Sequence, residues 1–230
     1  MRAQRPNLFI KIPGTRAGLP AVEETIFAGV PVNVTLLFSR EHYIAAAEAY
    51  MRGIERRIAA GLDAKVACVA SLFVSRWDVA MTHKVPHALN NRLGIAIAMR
   101  TYKAYYELLA SPRWQKLAKA GARPQRLLWA STGTKDPAAA DTLYISALAA
   151  PDTINTLPEK TLLAFADHGK AEVALPQDGG DAEAILAEFA LAGVDDATLA
   201  TQLQHEGVQS FVNSWRDLLN CIVSKCAAMT

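Results

Sequence analysis

Ile10-Lys11-Ile12-Pro13-Gly14-Thr15, IKIPGT, sets a lysine inside an apolar run that proline and glycine then stop. Leu8, Ile10 and Ile12 alternate with Asn7, Phe9 and Lys11. Because side chains alternate along a strand, the pattern predicts a strand over Asn7–Ile12 with the lysine on one of its two faces. Four more β-branched or apolar runs follow, at Val32–Leu37, Lys65–Ser71, Arg126–Ser131 and Asp152–Thr156, each bounded by Gly, Pro, Ser or Asp. Helical periodicity fills the intervals at Leu19–Ala28, Glu41–Ala60, Leu93–Leu109, Trp114–Ala120, Ala138–Leu148 and Glu159–His168, and two further helices, Ala182–Ala192 and Ala197–Cys226, end the pattern. Ser39 ahead of a helix and Gly29 and Gly61 behind helices supply start and stop signals. Strand–helix alternation of this kind predicts an α/β fold, a parallel sheet with helices packed outside it.

Composition narrows the function. The 230 residues carry 24 Lys+Arg against 22 Asp+Glu, with no basic stripe interleaved with aromatics, which argues against a nucleic-acid partner. No run reaches membrane-spanning length, and the short apolar stretch near the start is interrupted by Lys11, so a cytoplasmic chain with no membrane partner is expected. Cys68, Cys221 and Cys226 show no paired spacing and read as reduced, mostly buried thiols.

Parallel α/β proteins gather their chemistry at the carboxyl ends of strands. Asn33 and Thr35 point away from the apolar face made by Val32, Val34 and Leu36; the third strand ends in Ser71 ahead of Phe73 and Arg76; the fourth runs into Ser131 and Lys135. Several strands thus deliver polar groups to one end, which a packed interior without a ligand does not normally accept. Lys11 has two readings. At a surface strand end it snorkels. In a barrel mouth, desolvation lowers an ammonium pKa from about 10.4 toward neutrality and frees an amine able to attack a carbonyl and form a Schiff base, with no metal or organic cofactor required.

The segments NLFIKIPGTRAGLPA, GVPVNVTLLFS and ASLFVSRWD, followed by RLLWASTGTKDP and TINTLP, together resemble the transaldolase family in order and spacing, to about residue 175. The resemblance implies a (β/α)8 TIM-type barrel of the pentose phosphate pathway that moves a dihydroxyacetone unit from a ketose phosphate, sedoheptulose 7-phosphate or fructose 6-phosphate, to an aldose phosphate. It places Lys11 as the Schiff-base lysine, Thr35 as the holder of a catalytic water, Asn33 and Ser71 as substrate contacts, Phe73 as an aromatic beside them, and Arg76 with Ser131 on phosphate. Lys135 stands where short-form members carry an arginine, a point charge in place of a bidentate fork. The resemblance also implies three strand–helix units ahead of the lysine strand, carrying an aspartate for proton transfer, a substrate asparagine and a water-paired glutamate. The expectation is therefore an incomplete barrel of about five parallel strands over 1–175, against a usual count of eight, with a helical extension over 176–230 whose helices follow the linker-like QDGGD at 177–181. A homo-oligomer or a complementing amino-terminal fragment would supply the rest. The alternative is a non-catalytic piece with an assembly role, and simple aldol cleavage would use the same iminium.

Other motifs take plainer readings. Pro86 breaks the helical spacing of His83 and His87, and no third metal ligand accompanies them. Gly14 and Gly18 lack the GK[ST] of a P-loop and read as a tight turn. Tyr102, Tyr105, Tyr106 and Trp114 read as helix packing, His168 as a helix C-terminus, and the sequon at Asn33 as part of a buried strand.

Overall fold

The computed structural model describes residues 5, 7–170 and 174–227. The outer ends of both predicted divisions, at 1–4, 6 and 228–230, and residues 171–173 beside their boundary lie outside the described residues.

Strands β1 (Ile10–Pro13), β2 (Val32–Leu37), β3 (Cys68–Phe73), β4 (Arg126–Ala130) and β5 (Ile154–Asn155) form one sheet in chain order, every neighbouring pair parallel. Around it lie α1 (Leu19–Phe27), α2 (Arg40–Ala59), α3 (Ser75–Met81), α4 (Leu93–Ala110), α5 (Pro112–Lys119), α6 (Leu143–Ala147), α7 (Glu159–His168), α8 (Ala182–Leu191) and α9 (Asp196–Ala227). This is a partial α/β barrel. Sequence order and spatial order coincide because each helix returns the chain to lay the next strand beside the last.

β2, β3 and β4 are nearly continuous buried apolar runs, as central parallel strands must be. Val32, Val34, Ala70, Leu72, Leu127 and Trp129 pack under α1, α2 and α4, whose buried stripes include Val22, Ile26, Tyr43, Tyr50, Ala98, Tyr102 and Tyr105. The tyrosines and Trp114 are core residues, as the periodicity predicts. Ser39 caps α2 by accepting the His42 N–H at 3.2 Å. The Tyr50 hydroxyl donates to the Val66 carbonyl at 3.1 Å and the Arg123 carbonyl at 2.5 Å, pinning the approaches to β3 and β4 together.

Three expectations change. α6 covers only Leu143–Ala147, because the Asp136 carboxylate takes the Ala138 N–H and the Thr134 hydroxyl donates to the Ala140 carbonyl, holding 134–140 as a loop. α3, absent from the predicted elements, fills the segment after β3. Of the cysteines only Cys68 is buried; Cys221 and Cys226 are exposed because they lie on the far end of α9. The 177–181 stretch turns through Gly179 and Gly180, both at positive φ, and α8 then packs against α4 through Ile185, Leu186 and Phe189.

Candidate functional site

The register fixes the first pair of site residues. Lys11 on β1 lies beside Asn33 on β2, so the two side chains share a face of the sheet. Ser71 on β3 joins them by donating its hydroxyl to Asn33 Oδ1 at 2.7 Å. Phe73, two residues on, continues the same face, and the Arg76 guanidinium stacks over its ring at 4.8 Å. Ser131, just past β4, shares a hydrogen bond of 2.8 Å with the hydroxyl of Ser75, the residue before Arg76. The result is a continuous row, Lys11–Asn33–Ser71–Phe73–Arg76 with Ser75–Ser131, across the carboxyl ends of β1 to β4. Ser75 is buried and was missed by sequence reasoning, although it sits inside the SLFVSR segment.

Thr35 is fully buried, and its Oγ1 has no hydrogen-bond partner among the described residues. A buried hydroxyl left unpaired costs free energy, and such sites cluster where function supplies the missing partner. The residue after it, Leu36, and Ser131 both sit at positive φ, +60° and +57°, in the left-handed region that L side chains avoid. Each is at the tip of a strand, where stored backbone strain concentrates at ligand sites. The GTRAG turn is tight for a steric reason: a Cβ on Gly18 would stand 1.9 Å from the Pro13 carbonyl oxygen. It sends the chain sharply from β1 into α1.

Helix α9 returns over this end of the sheet, which nothing in the sequence announces. Gln204 Nε2 donates to the Leu36 carbonyl at 2.9 Å and the Gly14 carbonyl at 3.3 Å. Gly207 lets the helix approach, since a Cβ there would come within 2.8 Å of Leu36 Cδ2 and 3.3 Å of an Arg76 guanidinium nitrogen. One turn further, the Phe211 ring centroid is 5.7 Å from Lys11 Nζ. Gln204, Gly207 and Phe211 thus face the tips of β1 and β2.

Two expected positions differ. Lys11 is exposed, because among the described residues β1 is the edge strand of the sheet and pairs only with β2. Desolvation of the amine is therefore not achieved by the described residues. Lys135 is also exposed and lines a cavity of about 540 Å³ with Asp78, His83, His87, Asn91, Asp136 and Tyr144, a lining that includes neither Ser131 nor Arg76. His83 lies in a turn after α3 and His87 in a 3₁₀ turn behind Pro86. Among the described residues no carboxylate lies within ion-pair distance of Lys11, Arg76 or Lys135. Two acidic residues near the row are engaged elsewhere: Asp78 accepts from the Leu93 and Gly94 N–H groups and from Tyr144, and Asp136 accepts from Asn91.

Parallel strands in chain order, with polar groups gathered at their carboxyl tips and a lysine on the first, define part of a (β/α) barrel, with the candidate residues at the end where such folds gather their chemistry. The chain belongs to the transaldolase/fructose-6-phosphate aldolase family, whose family model matches residues 1–222. It is 48% identical over 227 residues to a transaldolase of Parafrankia sp., covering 95% of this chain and 62% of that protein. Similar matches join it to the transaldolases of Thermobifida fusca, at 44% over 98% of the chain and 64% of that protein, and Neisseria gonorrhoeae, at 43% over 95% and 63%. The chain spans about three fifths of the length of these curated relatives. Among the described residues no helix is long and apolar enough to cross a membrane.

Proposed function

We propose that this chain carries the Schiff-base and phosphate-binding part of a transaldolase site, acting in the cytoplasm on phosphorylated sugars of the pentose phosphate pathway. The observation that carries the reading is the row from Lys11 through Asn33 and Ser71 to Arg76, with cations uncompensated by any carboxylate among the described residues. Lys11 attacks the ketose carbonyl and, with loss of water, gives an iminium. Thr35 positions that water. Asn33 and Ser71 hold hydroxyls, Phe73 braces Arg76, and Arg76 with Ser131 meets phosphate. The iminium then accepts the electrons of the adjacent carbon–carbon bond; the aldose phosphate leaves, the enamine that remains adds to the acceptor aldose phosphate, and water hydrolyses the resulting iminium to release the new ketose phosphate and free the Lys11 amine. No cofactor enters.

The hydroxyl proton next to the breaking bond needs a base, and none of the site residues named above provides one. A carboxylate brought by a complementing fragment or a second copy fills that role, and its absence costs about 10²–10⁴-fold. Residues 1–175 form the catalytic part in this reading, and 176–230 an extension packed on it.

Sodium borohydride reduction in the presence of fructose 6-phosphate tests the proposal. The expected product is a covalent sugar phosphate adduct on Lys11, read by peptide mass spectrometry, that disappears in Lys11→Met and falls steeply in Asn33→Ala and Arg76→Ala. An adduct that survives Lys11→Met, or none on the native chain at any ketose phosphate concentration, refutes it.

A further inference from the structure

Ser75 stands between the two groups assigned to phosphate. It precedes Arg76 in α3, and it holds Ser131 twice: its N–H donates to the Ser131 carbonyl at 3.0 Å, and the two hydroxyl oxygens lie 2.8 Å apart. One residue earlier, the Val74 N–H donates to the Ala130 carbonyl at 2.9 Å. The chain leaving β3 therefore stays fastened to the chain leaving β4 beyond their last paired residues, Phe73 and Ala130. From the other side, the buried Thr132 hydroxyl lies 2.8 Å from Asn155 Oδ1 and 2.7 Å from the Thr156 carbonyl oxygen. The tip of β4 is thus clamped from both neighbouring strands, while the backbone of Ser131 sits at a φ of +57°. A left-handed serine persists only where its surroundings over-determine it, and here the bonds of Ser75 and Thr132 do so.

The hydroxyl pair has a direction. Ser75 is 1% exposed, and among the described residues its Oγ has Ser131 Oγ as its one hydrogen-bond partner. A serine hydroxyl carries one proton and two lone pairs, and a buried donor left without an acceptor costs free energy. The Ser75 proton therefore goes to Ser131 Oγ. With that lone pair taken, the Ser131 proton cannot point back at Ser75, and it turns to the open side of this half-buried residue. Ser131 becomes a donor aimed away from the protein before any ligand arrives. A donor fixed in this way suits an oxyanion, which only accepts, more than a neutral sugar hydroxyl, which also has a proton to place.

We infer that Ser75 is a positioning residue: it sets the Ser131 hydroxyl as a standing donor and so makes this end of the site select a phosphorylated ketose over the same ketose without phosphate. This rests on the reading above in which Ser131 with Arg76 meets phosphate. Ser75, being buried, acts through Ser131 and does not itself touch the sugar.

Two probes separate the outcomes. Inorganic phosphate, titrated calorimetrically into the full chain, reports on the anion end without any Schiff base. Fructose 6-phosphate and fructose, each titrated in borohydride reduction and scored as adduct on Lys11, differ only in the phosphate. Ser75→Ala should weaken inorganic phosphate, and raise the half-saturating fructose 6-phosphate concentration, about fivefold to tenfold, the net worth of one hydrogen bond, while the fructose value moves far less. Ser131→Ala should weaken phosphate at least as much, and adding Ser75→Ala to it should change little further, since the group through which Ser75 acts is gone. Ser75→Cys, close in size and a weaker donor, should fall between the native chain and Ser75→Ala.

Equal phosphate affinity in the native chain and Ser75→Ala overturns the inference. So does a parallel shift for fructose and fructose 6-phosphate, which a general loosening of the fold would give, or additive losses in the double variant. A native chain that binds no phosphate, or a Ser131→Ala variant that binds it as the native chain does, removes the phosphate reading and the role of Ser75 with it. The expected phosphate pattern with no adduct from either ketose counts against the Schiff-base reading alone and leaves the role of Ser75 standing.

Discussion

Asp78→Asn should make the protein more tolerant of neutral pH than of mild acid, relative to the native chain. Asp78 lies in α3, buried, where its carboxylate accepts the Leu93 N–H at 3.0 Å and the Gly94 N–H at 3.3 Å, satisfying the start of α4, and the Tyr144 hydroxyl at 2.7 Å, anchoring α6. Burial pushes this carboxyl up to about 6, against the opposing pull of Tyr144, Gly94 and Leu93. Its folded-state value therefore lies above the ordinary 3.8. Between about pH 4 and 6 the folded chain keeps a proton that the unfolded chain has lost, so this residue's contribution to stability falls as pH rises through that window and levels off above it. Roughly two units at 1.36 kcal/mol each amount to about 3 kcal/mol. The amide side chain that Asp78→Asn introduces can accept from both N–H groups and donate to Tyr144, keeping the cap without the charge. Urea unfolding of both proteins at half-unit steps from pH 4 to 7.5 measures the effect. The stability difference should move by about 3 kcal/mol in favour of the asparagine variant between pH 4 and 6.5. A difference that stays flat across that range refutes the reasoning.

Gly18→Ala should destabilise the fold by roughly 2 kcal/mol or more, since the added Cβ meets backbone at the Pro13 carbonyl, and urea midpoints report it. Gln204→Ala should cost about 1–2 kcal/mol by unpairing the Leu36 and Gly14 carbonyls, and should speed amide exchange in the first half of α9 more than in α2. Ser131→Gly should be more stable than Ser131→Ala by about 1 kcal/mol, because both lose the bond to Ser75 but only glycine relieves the positive φ; equal midpoints would show that the tip of β4 is unstrained.

Sequence pattern located β2 and α7 to the residue, and it put the remaining strands in place with shifted ends. The shifts have local causes. β3 begins at Cys68 instead of Lys65 because Asp63 Oδ1 takes the Lys65 N–H and the Val66 N–H turns back to Ala64. β5 keeps two residues, at the other edge of the described sheet. At the site, alternation along the second strand was enough to set Asn33 and Thr35 opposite the apolar face, and the strand ends were enough to gather Ser71, Phe73 and Ser131 at one end of the sheet. The exposure of Lys11 was not legible, since burial of a strand residue depends on the strand beside it. Nor was the role of Gln204, Gly207 and Phe211, which become site neighbours only when α9, about 170 residues after β2, folds back over the strand tips.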